Sequence, residues 1–263
     1  MSGSTIDARR VALAQFAPVV GDMDANLATI EATLAAHRDA EIMVWPELYL
    51  GGYTTARAQE TACALDSPAI GRLAELARVH GTALVVGFAE QCDATIANSA
   101  VAIDRDGRIA GCYRKAQLFG DEAGVFTPGD SLAIVSLCGV ECGLMICFDI
   151  EFPEIARALA THNARLLISI SANMPPFAAD HRLCVQARAL ENRCSHVYVN
   201  QTGQGEIFRF TGESAVADTT GQIVAEQAPD IEACRLVDIV LMADTETRPD
   251  YLALRREALP VRR

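Results

Sequence analysis

Short apolar runs alternate with helix-patterned segments along most of this chain, and that alternation restricts the fold more than any other feature of the sequence. The run VALAQF at 11–16 is typical of a strand, and Leu27, Ile30 and Leu34 then recur at helical spacing. A second strand-like run, EIMVW, follows at 41–45. A chain that alternates strands with helices in this way is expected to fold as an α/β protein.

Hairpins interrupt the alternation in both halves of the chain. DRDG at 104–107 turns one strand-like run directly into the next, with Gly107 free to take a positive φ, and residues 214–226 form a second hairpin pattern. Strands that pair both directly and through helical crossovers predict a four-layer α-β-β-α sandwich, two sheets face to face with helices outside. No low-complexity linker divides residues 1–263, so we expect a single domain. The remaining predicted elements are helices over 68–80, from Pro153 and over 179–192, and strands at 82–90, 97–103, 108–113, 132–137, 141–147, 165–171 and 196–201.

Composition and charge exclude some classes of function. With 263 residues, of which 51% are hydrophobic, the chain can bury a sizeable core. The net charge of -12 argues against a nucleic-acid partner, which would need clustered Lys and Arg side chains. The basic cluster LRREALPVRR at 254–263 is expected to be a solvated end or a subunit contact. No apolar run reaches the ~18 residues of a membrane span, so no membrane association is expected.

The cysteines indicate a reducing compartment. Nine are scattered along the chain, an odd number in a chain too large to need disulfides, so we expect a cytoplasmic protein with reduced thiols. Cys138, Cys142 and Cys147 are closely spaced but lack the paired Cys-x2-Cys pattern of zinc sites, and no metal or cofactor is expected. GQG at 203–205 is predicted to be a loop, and no phosphate-binding glycine motif opens a helix.

Three predicted strand ends carry reactive side chains. Glu47 follows the strand at 41–45, Lys115 follows the strand at 108–113, and Cys147 ends the strand at 141–147. In open α/β sheets the reactive groups collect beyond the carboxyl ends of strands. A thiol with its ordinary pKa of about 8.5 needs a base or a cation to become a nucleophile. None of the five histidines lies in a sharp motif, so a Cys-His pair is not expected.

Each of these residues also has a structural interpretation. Cysteine is among the most buried residue types without any catalytic role. Glu47 could stabilise the N-terminus of a helix, and Lys115 could form an ordinary surface ion pair. Each structural interpretation remains open for its own residue. Together, however, they do not explain why Glu47, Lys115 and Cys147 occur in this order along the chain.

Four stretches together resemble a known family. WPELYLGGY at 45–53, YRKAQLFGDE at 113–122 with FTPGD at 126–130, and LMICFDIEFPE at 144–154 look like the Glu, Lys and Cys motifs of the nitrilase superfamily, the carbon-nitrogen hydrolases. The order and spacing match, and the resemblance runs from VALAQF to RPDYLALRRE at 248–257, essentially the whole chain. It implies an enzyme that cleaves non-peptide C–N bonds.

The resemblance also implies roles for particular residues. Glu47 would be the general base, Cys147 the nucleophile that forms a thioester, and Lys115 with the backbone N–H of Phe148 would stabilise the oxyanion. Glu122 matches a second glutamate that the family often places beside the triad, where it would orient Lys115 or the attacking water. A solvated acid in GDEAG is the alternative for Glu122.

The substrate is expected to be a small amide. True nitrilases tend to carry Trp-Glu directly after the nucleophile, whereas Phe148 and Asp149 resemble the amidase side of the superfamily. YRKAQLFG, ICFDIEFPE, SANM and QARALEN are similar to bacterial aliphatic amidases, including those that act on 5-aminopentanamide, although Gln117 stands where many relatives have His. The substrate-binding residues carried over by position are Phe148, Tyr53, Asn173 and Met174.

Charge and family together suggest further properties. A pocket with Glu47 and Glu122 against one lysine favours a neutral or cationic substrate, unless Arg188 or Arg193 supplies a clamp for an anion. The family implies a homodimer or larger assembly, with the tail at 245–263 reaching across the partner. The alternatives are a nitrilase or an N-carbamoyl amide hydrolase with the same triad, or a catalytically silent binding module of the same fold.

Overall fold

Strands make up most of the regular structure in the computed structural model, which describes residues 8–241 and 249–256. The strands are β1 Ala8–Gln15, β2 Ile42–Val44, β3 Ala62–Cys63, β4 Ala83–Cys92, β5 Thr95–Ile103, β6 Ile109–Arg114, β7 Ile134–Leu137, β8 Val140–Ile146, β9 Leu166–Ser171, β10 Ser195–Asn200, β11 Thr202–Gln204, β12 Arg209–Thr211, β13 Ala215–Ala217, β14 Ile223–Glu226 and β15 Ala233–Val240. The helices are α1 Met23–Ala36, α2 Ala58–Thr61, α3 Pro68–His80, α4 Pro153–Thr161 and α5 Ala178–Asn192, with short 3-10 helices at Gly120–Gly124 and Cys147–Glu151.

These strands form two large sheets and a small ribbon. The first sheet has the order β15-β1-β2-β4-β5-β6, with β3 paired to β4, and the second has the order β14-β13-β10-β9-β8-β7. Each sheet has a parallel centre, β1, β2 and β4 in the first and β8, β9 and β10 in the second. Antiparallel strands flank both centres, as the hairpin patterns predict.

The alternating side chains of the strands build the layers. On β1, Val11 and Leu13 face the second sheet and pack with residues such as Ile168 in one large buried cluster between the sheets. Ala12 and Ala14 point the other way, toward α1 and α3. The outer face of the second sheet is covered by α4 and α5. The four-layer α-β-β-α sandwich predicted from the sequence is confirmed.

Local sequence signals set the element boundaries where those signals are strong. Helix α3 begins after Ser67, whose side chain accepts a hydrogen bond from the backbone N–H of Ile70, and it ends at Gly81 in the left-handed region. Its bounds are those predicted, 68–80. The turn before β6 places Gly107 at a φ of 87°. Capping and turn chemistry are local, so the sequence predicts these features well.

The structure corrects two predictions about strands and adds a long strand that was not predicted. Strand β8 ends at Ile146, and Cys147 begins the following 3-10 helix instead of ending the strand. The segment at 203–205 is not simply a loop, because Thr202–Gln204 pairs with Arg209–Thr211 in the small ribbon. Strand β15 was not predicted, and it pairs with all of β1, from Ala8 opposite Val240 to Gln15 opposite Ala233.

The C-terminal segment is described in part. Of the tail at 245–263, residues 249–256 are described, and the rest of the tail lies outside the described residues. Arg193 donates hydrogen bonds to the carbonyl oxygen of Pro249, the shorter at 2.6 Å, and its guanidinium lies 4.8 Å from the centre of the Tyr251 ring. Arg193 therefore holds this segment against the end of α5. Among the described helices, none is both long and apolar enough to cross a bilayer.

Candidate active site

The three predicted reactive side chains leave their strands at one end of the sandwich. Strand β6 runs antiparallel to β5, and β5 runs antiparallel to β4, so β6 points the same way as β4 and β2. Glu47 after β2 and Lys115 after β6 thus emerge at the same end of the first sheet. Cys147 follows β8 of the second sheet and lines one cavity with Lys115 and Glu122.

Lys115 joins the two predicted carboxylates. Its Nζ lies 2.7 Å from Oε1 of Glu47 and 2.8 Å from Oε2 of Glu122, and the exposed fraction of all three side chains is 0%. Burial lowers the pKa of Lys115, but the charges of Glu47, Cys147 and Glu122 outweigh that effect and raise it well above the ordinary value. The lysine is therefore a permanent buried cation, and the interpretation as a surface ion pair does not hold.

Glu47 has one bound and one free carboxylate oxygen. Oε1 accepts hydrogen bonds from Lys115 and, at 2.7 Å, from Nδ2 of Asn98. Oε2 is buried and has no hydrogen-bond partner among the described residues. Burial raises the pKa of Glu47, Lys115 opposes that rise, and Glu122 adds to it. The free oxygen is therefore a basic site available to a proton.

The backbone that carries Glu47 passes close to β4. The carbonyl oxygen of Glu47 accepts a hydrogen bond of 2.5 Å from Nε2 of Gln201. A Cβ atom added at Gly87 of β4 would lie 2.4 Å from both the carbonyl oxygen of Pro46 and the nitrogen of Leu48. Glycine at this position lets the segment after β2 cross β4 at van der Waals distance.

Glu122 is held by several donors. It lies in the 3-10 helix Gly120–Gly124, and its oxygens accept hydrogen bonds from the Tyr53 hydroxyl and the Phe119 backbone N–H, both at 2.9 Å, besides those from Lys115. Its side chain is fully buried, so the alternative of a solvated acid is wrong. These contacts leave Glu122 little freedom of orientation.

Cys147 occupies a strained position. Its φ of 46° lies in the left-handed region, which is unfavourable for a residue with a side chain and recurs at functional sites. Burial raises the pKa of the thiol, Glu47 raises it further, and Lys115 and a hydrogen bond from Ser171 lower it. The balance keeps the thiol protonated, so it needs a base before it can act as a nucleophile.

Asp149 connects the turn at Cys147 to the loop at Lys115. Its buried carboxylate accepts hydrogen bonds from the Tyr113 hydroxyl at 2.9 Å, the Gln117 backbone N–H at 2.8 Å and the Ile146 backbone N–H at 2.9 Å. Sequence reasoning used Asp149 as a sign of the amidase side of the superfamily and missed this bridging position. The signal available in the sequence was the group of acidic residues that follows β8.

Two amide side chains were also missed. Asn98 bonds both glutamates, with Nδ2 at 2.7 Å from Glu47 and 3.4 Å from Glu122, and Gln201 bonds the Glu47 backbone. The signal for Asn98 was a polar residue inside the apolar run of β5, where an amide with no partner would be costly. Gln201 follows β10 and carried no comparable signal.

The cavity beside the thiol is small and largely aromatic. Its volume is about 10 Å³, roughly the space of one water molecule. The ring of Phe119 meets those of Phe148 and Phe177 edge to face, with centroids 5.4 and 5.7 Å apart. Tyr53, Asn173 and Met174 also line it, so the four substrate-binding positions expected from the sequence lie together at its wall. Nδ2 of Asn173 is buried with no hydrogen-bond partner among the described residues.

One side of the cavity is polar. Glu151 and His181 line it, with 3.4 Å between Oε1 of Glu151 and Nε2 of His181. Nδ1 of His181 lies 3.0 Å from the Tyr198 hydroxyl, which donates a hydrogen bond of 3.2 Å to Oγ of Ser171. The link from this histidine to the thiol therefore runs through two other side chains, in keeping with the expectation of no direct Cys-His pair.

The two arginines considered as anion clamps are engaged elsewhere. Arg188 donates to the backbone oxygens of Ile150 and Glu151 and pairs with Glu191 at 2.9 Å. Arg193 binds the C-terminal segment. Among the described residues that line the cavity, Lys115 is the single Lys or Arg side chain. In the part of the chain that the structure describes, no group of three or more His, Cys, Asp and Glu side chains is arranged to hold a metal ion.

Known proteins resemble this chain along almost its full length. A family model described as carbon-nitrogen hydrolase matches residues 10–248. A Pseudomonas protegens protein named "Hydrolase in pqqF 5'region" is 36% identical over 266 residues, covering 98% of this chain and 93% of that protein. An "(R)-stereoselective amidase" from Pseudomonas sp. is 36% identical over 245 residues, covering 92% and 89%.

A solved structure agrees with these relatives. An amidase from Nesterenkonia sp. superposes with a TM-score of 0.83 at 28% identity, covering 94% of this chain and 93% of that one. A variant of the same amidase shows covalent addition of the acetamide moiety of fluoroacetamide at its active site cysteine.

Proposed function

The chain belongs to the carbon-nitrogen hydrolase family, and on this premise we propose that it is a thiol-dependent amidase that hydrolyses small aliphatic amides to a carboxylate and ammonia. The observation that carries the proposal is the arrangement of Glu47 and Lys115 beside Cys147. The lysine binds one oxygen of Glu47 and leaves the other free in a buried site with a protonated thiol. A base, a cation and a nucleophile are the three groups that acyl transfer requires.

The first half of the reaction acylates the enzyme. The free oxygen of Glu47 takes the thiol proton as the sulfur of Cys147 attacks the amide carbonyl carbon. The C–N bond of the tetrahedral intermediate then breaks, and Glu47 returns the proton to the leaving nitrogen, which departs as ammonia. The acyl group remains on Cys147 as a thioester.

The second half releases the product. Glu47, again ionised, removes a proton from water, and the resulting hydroxide attacks the thioester carbonyl. The C–S bond breaks, and the thiolate of Cys147 leaves and takes back the proton that Glu47 holds. The carboxylic acid product then ionises in water. The same residue thus serves as base and acid in both halves.

Two donors would stabilise the oxyanion of both tetrahedral intermediates. Lys115 supplies a fixed positive charge, and the backbone N–H of Phe148 lies in the turn that begins at Cys147. Glu122 would hold Lys115 between two carboxylates, with Tyr53 and Phe119 fixing its own position. In a buried site such preorganised charges act with little screening.

The lining of the cavity supports a neutral or cationic acyl group. Glu151 adds a second carboxylate to the lining beside Glu122, with 33% of its side chain exposed, and no arginine lines the described cavity. The three phenylalanines favour the methylene chain of an aliphatic amide. An anionic acyl group would face carboxylates on two sides, so dicarboxylic acid amides are disfavoured.

Ammonia release from a panel of compounds tests the proposal. The panel contains butyramide, 5-aminopentanamide, a dicarboxylic acid monoamide, an N-carbamoyl amino acid and an aliphatic nitrile. We expect hydrolysis of the first two by the wild type, and no hydrolysis by Cys147→Ala. Cys234→Ala is the matched control, since Cys234 lies on β15, in a different part of the fold.

The other outcomes of that panel are equally informative. Hydrolysis confined to the nitrile or the carbamoyl compound would replace the amidase assignment with one of those reactions. Activity retained in Cys147→Ala would contradict the thiol mechanism. No hydrolysis of any compound by the wild type would favour the catalytically silent binding module.

We further propose that the protein is a cytoplasmic homodimer or larger homo-oligomer in which the tail at 245–263 contacts the partner, and that it needs no metal or cofactor. Tyr251 and Leu254 in the described part of the tail are 42% and 70% exposed, which supports an apolar contact of this segment with a partner. Light scattering of the full chain and of a chain ending at 248 would test this: the full chain should be dimeric and the shortened one should dissociate more readily.

A further inference from the structure

The side chain of Asn98 lies where the two buried glutamates meet. Its Nδ2 is 2.7 Å from Oε1 of Glu47 and, in a longer contact, 3.4 Å from Oε1 of Glu122. Nζ of Lys115 donates to the same two oxygens, at 2.7 and 3.0 Å. The two nitrogens and the two oxygens therefore form a closed ring of four polar contacts. The proposed reaction gives no role to Asn98.

The backbone fixes Asn98 in this position. The residue lies within β5, opposite Ala89 of β4, and it is fully buried. Its carbonyl oxygen accepts a hydrogen bond of 2.8 Å from the backbone N–H of Lys115. One residue thus holds the lysine through its backbone and contacts both glutamates through its side chain.

The orientation of the Asn98 amide follows from its surroundings. An amide can present either its NH₂ group or its oxygen, and an ionised carboxylate can only accept hydrogen bonds. Nδ2 therefore faces the glutamates, and Oδ1 is left buried with no hydrogen-bond partner among the described residues. A buried acceptor without a partner destabilises a fold. The chain tolerates this cost at a position where the NH₂ group contacts two carboxylates.

The charges of the cluster show what the amide adds to the lysine. Glu47 and Glu122 share the single positive charge of Lys115, so the cluster is net negative when both glutamates are ionised. Like charges repel strongly in a buried site, where water does not screen them. The NH₂ group of Asn98 is a second donor between the two oxygens, and it stays neutral at every pH of interest. A hydrogen bond to a carboxylate stabilises its ionised form.

The same contact fixes the direction of the free oxygen of Glu47. Lys115 and Asn98 both donate to Oε1, whereas Oε2 has no hydrogen-bond partner among the described residues. A carboxylate held by the lysine alone could rotate about that one contact. Two donors from different directions hold the plane of the carboxylate and, with it, the direction in which Oε2 points.

We infer that Asn98 is a positioning residue that keeps Glu47 ionised beside Glu122 and holds its free oxygen in the orientation that the general base requires. The inference rests on the proposed function, since it requires Glu47 to take the proton of Cys147. The ring formed by Asn98, Lys115 and the two glutamates is the observation that carries it.

Asn98→Leu isolates the contribution of the amide. Leucine has the same number of side-chain heavy atoms and the same branch point, but it cannot donate a hydrogen bond. Without the donor the ionised form of Glu47 is less stable, so its pKa rises and the base is protonated at a higher pH. We expect the fall of kcat/KM for butyramide at low pH, the acid limb, to move upward by about one unit. The plateau above the limb should fall about tenfold, because Oε2 is less well oriented.

Asn192→Leu is the matched control. Asn192 is also fully buried, its Nδ2 donates to the carbonyl oxygen of Arg188 at 2.9 Å, and its Oδ1 likewise has no partner among the described residues. Its amide therefore acts within α5 and donates to neither glutamate. We expect this substitution to lower the urea midpoint of unfolding and to leave the acid limb where the wild type has it. An equal shift of the limb in both variants would overturn the inference, because a general loosening would then explain it.

The shift can be assigned to Glu47 because the titratable groups around it are known. They are Tyr53, Lys115, Glu122, Cys147 and Tyr198. All five remain in Asn98→Leu. The acid limb should be absent from the residual activity of Glu47→Gln, both with Asn98 present and in the double variant with Asn98→Leu. A limb that persists and still moves in the Glu47→Gln background would belong to another group and would overturn the inference.

The outcomes separate this inference from the proposed function. An acid limb of Asn98→Leu that superimposes on that of the wild type, while Cys147→Ala is inactive, would overturn the inference and leave the amidase proposal intact. Wild-type protein that hydrolyses no amide would overturn both. If Asn98→Leu does not fold, Asn98→Ala takes its place. Its smaller side chain admits water, which can donate instead of the amide, so a smaller upward shift is expected and the absence of any shift overturns the inference.

Discussion

At the scale of single residues, the chemistry of the site depends on whether Glu47 or Cys147 holds one shared proton. Burial raises the pKa of both Glu47 and Cys147, so neither group is easily charged, and the lysine between the glutamates decides where negative charge is tolerated. The oxygen of Glu47 that Lys115 does not bind is the one that can take the proton. The reactivity of the thiol is therefore a property of the cluster and not of the cysteine alone.

The raised pKa of Glu47 predicts an acid limit on activity. A base must be ionised to act, and a carboxyl group whose pKa is raised by burial is protonated at higher pH than an exposed one. As the pH is lowered, kcat/KM should therefore begin to fall at a pH above about 4.3, the ordinary pKa of a glutamate side chain. Glu47→Gln should lower kcat about 10²- to 10⁴-fold and remove this limb from whatever activity remains. An unchanged pH profile in the variant would contradict the assignment of the base.

At the scale of elements, the site depends on how two connections are tied together. Asp149 accepts hydrogen bonds from the loop after β6 and from the end of β8, so one carboxylate ties the loop beside Lys115 to the turn that carries Cys147. The same carboxylate accepts the Tyr113 hydroxyl from β6 itself. The connection is rigid because three donors converge on two oxygens.

Replacing that carboxylate with an amide should loosen the site. Asp149→Asn keeps the volume but places an NH₂ group against backbone donors, and an unsatisfied buried donor costs about 1–3 kcal/mol. We expect a corresponding loss in the free energy of unfolding, with kcat reduced more than KM is raised. Asp238→Asn is the control: its pair with Arg10 is exposed and screened by solvent, so this substitution should leave the free energy of unfolding nearly unchanged. If both substitutions lowered the free energy of unfolding and kcat equally, Asp149 would not be the residue that connects the two loops.

At the scale of the whole molecule, the residues of the proposed active site come from different sheets. Glu47, Lys115 and Asn98 come from the first sheet, whereas Cys147 and Ser171 come from the second. The large apolar cluster between the sheets holds the two halves in register. The site therefore exists only while that interface is intact.

A urea titration should show this dependence. Trp45 is the single tryptophan, is fully buried and directly precedes the segment of Glu47, so its fluorescence reports on the first sheet. We expect hydrolysis of butyramide and Trp45 fluorescence to be lost at the same urea concentration, as in a cooperative transition. Activity lost at distinctly lower urea than fluorescence would mean that the sheets part before the first sheet unfolds.

Short stretches of the sequence by themselves determined part of this architecture. Helix α3 follows from the Ser67 cap, its apolar face and Gly81, and the turn before β6 follows from Gly107. The apolar runs before Glu47, Lys115 and Cys147 predicted that all three lie at strand ends, and in the structure they follow β2, β6 and β8. Periodicity, capping and turn chemistry act over a few residues, so one stretch of chain contains the whole signal.

Only the tertiary structure decided the rest. Strand β15 is half exposed, and its sequence has only a weak strand pattern. It forms a strand because it pairs with the edge of β1, which lies more than two hundred residues earlier in the sequence. Gln201 reaches Glu47 across 154 residues, and Tyr198 meets Ser171 and His181 from separate elements. These contacts arise because the packing of sheets and helices fixes which distant polar groups are buried together, and no local pattern encodes that distance.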